Sequence, residues 1–260
     1  MSLPHRARAF VLWLLVAMLA GVAMSLTPIP QPLSYHDLAD QRLWLGLPNG
    51  LDTLSNALFV IAGTAGLCLL GCTRKREVFL DRREAWLYGL FFIGVVLIGF
   101  GSGYYHLAPD NDRLLWDRLP MMLAFMALLA AMIAERVGPG VGLRLLPLLL
   151  LVGIGSALYW GWSEAQGMGD LRPYLLMQAY PMLLMPLLLW LYPPRYSRGG
   201  ILLAAIGLYP LALLLDFSDR AVFGYTSGFV SGHTLKHVVA ALTVLGVVLY
   251  LHRRGRLNSG

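Results

Sequence analysis

The sequence predicts an all-α membrane protein, a polytopic bundle of eight helical spans with both termini in the cytoplasm. Three observations predict it. Apolar runs of roughly 17–22 residues recur along the 260-residue chain, each long enough for a hydrocarbon core of about 30 Å. Charged residues make up only 13% against 58% hydrophobic ones, far from the roughly 25% charged of soluble domains. Lys and Arg gather in alternate loops, the pattern that sets membrane orientation.

The spans read as Phe10–Leu26, Leu51–Cys72, Ala85–His106, Asp117–Glu135, Leu143–Trp162, Tyr174–Tyr192, Ile201–Phe217 and His233–His252. Of the 20 basic residues, 14 fall on one side. They are Arg6 and Arg8, then Arg74, Lys75, Arg76, Arg82 and Arg83, then Arg136, Arg144, Arg195, Arg198, Arg253, Arg254 and Arg256. The other side receives Arg42, Arg113, Arg118, Arg172, Arg220 and Lys236. The richer side is cytoplasmic by the positive-inside rule, and an even number of spans agrees. Residues 1–26 form an N-terminal anchor. A basic start and the small residues of GVAMS also fit a signal peptide, but the apolar run is long for one. The outer loop 27–50 and a seven-span core, 51–260, follow.

Net charge of +6 raises the question of nucleic acid. The basic residues lie at span ends and in loops, with no basic face interleaved with aromatics, so nucleic acid is excluded as a partner. Cys68 and Cys72 make no CxxC pair, which argues against a disulfide framework or a cysteine zinc site. Within the apolar runs, Pro120, Pro147, Pro181, Pro186 and Pro210 read as tolerated kinks. Tyr104, Tyr105, Trp116, Tyr159, Trp160 and Trp162 read as an interfacial belt.

The loop begins TPIPQP, which cannot continue a helix because proline lacks the donor and disfavours the α region before it. Asn49 or Asp52 is positioned to cap the second span. Ser55 and Asn56 lie deeper and need protein partners. The chemistry gathers at the outer edge. Ser102 and His106 are four apart and share a helix face, Asp117 opens the next run, and His233 and His237 share a face at the start of the last span. His36, in the loop, is open to either a structural or a chemical role, whereas His5 and His252 read as interfacial.

Three neutral imidazoles at one depth leave a zinc ion with an open fourth position, the catalytic rather than the structural pattern. Water there has its pKa lowered towards about 7. Asp117 is then the general base that takes and returns the proton, and Ser102 a donor to the developing oxyanion.

The motifs LDTLSN, GSGYYH, LLWDRLPM and SGHTLKH together resemble the alkaline ceramidases. These belong to a superfamily of seven-span membrane hydrolases that includes the adiponectin-receptor-like proteins. The resemblance runs from Tyr35 to about His252. It implies that His106, His233 and His237 bind zinc, that Asp117 contacts the metal's water, and that Ser102 stabilises the tetrahedral intermediate. It implies hydrolysis of the ceramide amide to sphingoid base and fatty acid. The family's acidic calcium positions fall here on Tyr35, His36, Leu38, Asp40 and Asn49. That leaves few oxygens for a hard cation, with Asp37, Asp40 and Asn49 as candidates for a weaker calcium or structural site. The extra first span is a second departure from the family.

The expected protein is a zinc-dependent amidase that takes ceramide or a related N-acyl lipid from the bilayer. Short loops suggest a bacterial cytoplasmic membrane with the site facing the periplasm. An ester or phospholipid acyl hydrolase is the alternative within the superfamily, since the sequence does not read the leaving group. A non-catalytic zinc-containing receptor is the alternative outside it. Ser102 and Asp117 argue against the receptor, because a structural zinc needs neither.

Overall fold

The computed structural model describes residues 4–73 and 79–257. Arg74, Lys75 and Arg76, counted above as cytoplasmic, lie outside the described residues. The protein is 77% helical, with no strand among the described residues, and eight helices are long and apolar enough to cross a membrane. In order they are α1 (His5–Ser25), a span made of α2 (Gly50–Ser55) and α3 (Ala57–Thr73), α4 (Glu84–Leu107), α5 (Asn111–Arg136), α6 (Pro139–Ala165), α7 (Arg172–Leu191), α8 (Gly199–Phe217) and α10 (Gly232–Arg253). A short helix, α9 (Asp219–Tyr225), precedes the last span. All five intramembrane prolines lie inside helices.

Local chemistry sets the ends. α5 starts six residues before the expected Asp117, because the Asp110 side chain accepts a hydrogen bond from the Arg113 amide at 2.7 Å and caps it. Asp117 therefore sits more than a turn inside the helix. α10 starts where Ser231 accepts from the Thr234 amide at 2.9 Å. The span α2–α3 is interrupted at Asn56. Ser55 Oγ and Asn56 Nδ2 both donate to the Asp52 carbonyl, at 2.9 and 2.8 Å. Local side-chain donors of this kind compete with the helical ladder.

The seven core spans pack in a closed ring in which α3 touches α4 and the sequence of contacts runs through α5, α6, α7 and α8 to α10, which returns to α3. α5 also reaches α7, and it is the most deeply buried span. α1 lies outside the ring against α7 and buries no residue. It is held by Tyr180, whose hydroxyl donates to the Val16 carbonyl at 2.9 Å, and by Arg172, which donates to the Leu26 carbonyl. At Gly101 a Cβ would collide with the Trp116 carbonyl. This close approach brings the C-terminal turns of α4, which carry Ser102 and His106, against the part of α5 that carries Asp117.

The end of the ring away from those residues is closed by buried polar groups. Glu135 accepts from the hydroxyls of Tyr88 and Tyr250, both at 2.7 Å, and pairs with Arg254. Glu84 accepts from Tyr196 Oη at 2.8 Å. The Arg254 guanidinium lies 4.0 Å from the Tyr196 ring centroid and 4.5 Å from that of Phe79. Its charge is thus shared between a carboxylate and aromatic faces. Removing one partner of a buried pair strands the other. Arg254→Met is therefore expected to lower stability by about 3–5 kcal/mol. The double variant Arg254→Met/Glu135→Leu should recover much of that loss, as measured by unfolding in mixed micelles.

Candidate metal centre

His106, His233 and His237 come together at one end of the ring, each at least 96% buried, with one ligand atom apiece lying within 4.8 Å of the others. The ring centroids are 4.8–5.1 Å apart. His106 Nε2 and His233 Nε2 are separated by 3.2 Å.

The opposite ring nitrogens decide what the cluster can hold. His233 Nδ1 lies 2.8 Å from Asp216 Oδ1, so it carries the proton and donates to the carboxylate. His237 Nδ1 lies 2.8 Å from Ser55 Oγ. The Ser55 hydroxyl spends its own proton on the Asp52 carbonyl, so His237 Nδ1 is the donor there as well. In a neutral ring this leaves Nε2 of both residues unprotonated. His106 Nδ1 is buried and has no protein partner. With its proton on Nε2, His106 donates to His233. With its proton on Nδ1, it turns a third lone pair towards the other two. A carboxylate and a hydroxyl behind two of three converging imidazoles is the usual outer shell of a histidine-bound metal. The residues fit a zinc ion, whose preferred donors include imidazole nitrogen.

The scaffold behind the histidines is dense. Asp52, read from sequence as a cap, is fully buried and accepts from Ser231 Oγ at 2.9 Å and from Thr234 Oγ1, joining α2 to the start of α10. Asp219 of α9 accepts from the His233 amide at 2.8 Å and the Ala39 amide at 2.9 Å. Asn49, the other expected cap, has a left-handed backbone and makes no capping bond. Its Nδ2 donates instead to the His106 carbonyl at 2.8 Å.

Asp117 is partly buried and lies outside the cluster of ligand atoms, within electrostatic range of His233 and Lys236. Ser102, 3% exposed, lies beside it. Arg118 is buried, donates to Gln31 Oε1 at 2.6 Å and stacks 4.0 Å from the Trp160 ring centroid and 4.6 Å from that of Tyr174. Tyr35 reaches the same region from the loop. Burial pushes its phenol above the ordinary value, with Lys236, Asp216, Arg118 and Asp117 all in electrostatic contact.

The outer loop is tied down rather than free. His36 contacts Tyr105 Oη at 3.0 Å and Asn111 Oδ1 at 2.9 Å. Since Asn Oδ1 only accepts, His36 Nε2 is the donor and Nδ1 accepts from the tyrosine, which gives this histidine a structural role. Asp37 pairs with Arg220, and Asp40 pairs with Arg42 at 2.7 Å. Burial raises the Asp40 carboxyl, but the hydrogen bonds from Arg42 outweigh it and hold the group below its usual range. Asp37, Asp40 and Asn49 thus each face a different partner: Arg220, Arg42 and the His106 carbonyl.

Several of these residues were invisible to spacing. Tyr105 and Trp160, read as belt residues, are each at most 1% exposed and serve the polar interior, whereas Tyr104, Trp116, Tyr159 and Trp162 are 41–59% exposed, as a belt requires. Asp216 and Lys236 carried no signal beyond a charge near a span end.

Outer-shell partners of a metal site typically change affinity by about 10–100-fold when removed. Ser55→Ala and Asp216→Asn are each expected to weaken zinc binding within that range, measured by competition with a chelator. Thr243→Ala, further along α10, should leave it unchanged. In comparisons with known proteins, no family model, no curated protein and no solved structure matches this chain.

Proposed function

We propose that the protein is a zinc-dependent membrane amidase that hydrolyses ceramide or a related N-acyl lipid to an amine and a fatty acid. The observation that carries this reading is the set of three buried imidazoles, two of them with Nδ1 committed to an acceptor. The resemblance of LDTLSN, GSGYYH, LLWDRLPM and SGHTLKH to the alkaline ceramidases supports the choice of an amide. The distribution of Lys and Arg supports an orientation with both termini in the cytoplasm and the site on the outer face, towards the periplasm of a bacterial cell. At that depth an amide near the headgroup region meets the histidines while its acyl chain stays in hydrocarbon.

His106, His233 and His237 would hold the zinc ion, which when bound would supply Lewis acidity and lower the pKa of water at the site. Asp216 and Ser55 fix the planes and tautomers of two of the rings. Asp117 takes a proton from the attacking water and passes it to the leaving nitrogen, as a general base and then a general acid. Ser102, beside Asp117, supplies one hydroxyl donor to the developing oxyanion. The new carbon–oxygen bond forms first; the carbon–nitrogen bond then breaks as C=O re-forms, and the second water proton passes to the amine, giving a carboxylate and an ammonium.

The test is fatty acid release from a fluorescent ceramide in detergent micelles, with zinc measured on the same samples. Wild type should turn over with about one zinc per chain. Asp117→Asn should lose about 100-fold or more in kcat while retaining zinc, and His233→Ala should lose both. Zinc present with no turnover of ceramides or acyl esters would sink the hydrolase reading.

The pH dependence has a definite sign. Only neutral imidazole ligates, and its ordinary pKa is about 6.5, so protons displace metal as pH falls. Activity should rise from pH 5 to at least 8. A flat profile in metal-replete samples would count against the mechanism.

A further inference from the structure

Lys236 and Asp216 are placed at the histidines, and the mechanism above gives the lysine no task. Lys236 lies between the two histidines of α10 in sequence, and its Nζ is 3.0 Å from His233 Nε2, the nitrogen that faces the cluster. Asp216 Oδ1 lies 3.1 Å from that ammonium and 2.8 Å from His233 Nδ1, so one carboxylate positions both groups. The two side chains keep 20% and 24% of their surface accessible, whereas His233 keeps 5%. Lys236 and Asp216 are thus less enclosed than the histidine that they touch.

Two further considerations give this cation a purpose. The first is charge. Asp117 and Asp216 share the electrostatic neighbourhood of Tyr35 with the cations Lys236 and Arg118, and of the two cations it is the ammonium that touches a histidine of the cluster. The second is donor supply. A serine hydroxyl has one proton to donate, and Ser102 lies beside the Asp117 carboxylate, which competes for it. An oxyanion forming beside the histidines needs another donor, and Lys236 has three.

We propose, resting on the acyl-hydrolase reading, that Lys236 is the anion-binding residue of this site and that Asp216 positions it. The ammonium donates to the acyl carbonyl oxygen as water oxygen bonds to the carbon and the C=O electron pair moves onto that oxygen. The water proton goes to Asp117. The pair then returns to re-form C=O, the carbon–nitrogen bond breaks, and the nitrogen takes the proton from Asp117. The proton left on the new acid passes to the released amine, so that Lys236, which gains and loses no proton, ends in contact with the carboxylate of the fatty acid. The site thus binds a carboxylate product in preference to a neutral isostere.

The experiment compares octanoate with octanamide binding by calorimetry, using full-length protein in nanodiscs, both zinc-loaded and chelator-stripped. Wild type should prefer octanoate by about tenfold or more in both forms. Lys236→Met and Lys236→Gln should lose that preference in the stripped form, where no metal competes for the carboxylate, while zinc uptake stays near the wild-type level. Lys236→Arg should keep it. A wild type without the preference overturns the proposal, and so does a zinc-competent Lys236→Met or Lys236→Gln that retains it. A Lys236-dependent preference in a protein that hydrolyses no N-acyl lipid or ester would uphold the anion site and remove the hydrolase reading. Intact hydrolysis without the preference would do the reverse.

Discussion

A polar group inside a bilayer has no water to turn to, so each one must find its partner within the protein. The seven-span ring obeys that constraint at both ends, with different results. At one end Glu135 collects Arg254, Tyr88 and Tyr250, and Glu84 collects Tyr196. Donors and carboxylates meet with little left over, and the nitrogens of Arg254 that lack a hydrogen bond lie among aromatic rings. That end is a clasp. At the other end the partners are arranged behind the histidines, and the nitrogens that face one another are mostly lone pairs. The Lys236 ammonium stands at their edge, 3.0 Å from His233 Nε2.

The same constraint explains why the outer loop is well ordered against the bundle. Its backbone amides at Gln31 and Ala39 donate to Glu164 and Asp219 at 2.6 and 2.9 Å, and His36 joins it to α4 and α5. The loop carboxylates Asp40 and Asp37 pair with Arg42 and Arg220. Acidic residues close in sequence need not be close in purpose.

What the sequence made legible was whatever repeats along one helix or follows from bulk hydropathy. Eight spans and their approximate limits follow from apolar run length. The four-residue spacings of Ser102 with His106 and of His233 with His237 fix shared faces, and a common depth suffices to predict that the three histidines meet. Contacts between helices distant in the chain were not legible. Nothing in the run LLLDF reveals that Asp216 of α8 stands behind a histidine of α10. Nothing in GYYH distinguishes the outward Tyr104 from the inward Tyr105, although they are neighbours about 100° apart on the helix. Asp52 looked like a cap because it opens an apolar run, yet the hydroxyls of Ser231 and Thr234 claim it from almost 180 residues away.

The closure of the ring by α10 against α3 has a consequence for how the protein is made. A ribosome releases His106 and Asp117 into the membrane well before it reaches His233 and His237, which sit on the last span. Until that helix arrives, Ser55 and Asp52 lack the groups that they bind, and the nascent bundle has an open seam between α3 and α8. The site is therefore assembled last. Synthesis that stops before the final helix yields a chain with neither a closed wall nor the histidine cluster, which gives membrane quality control a clear structural difference to recognise.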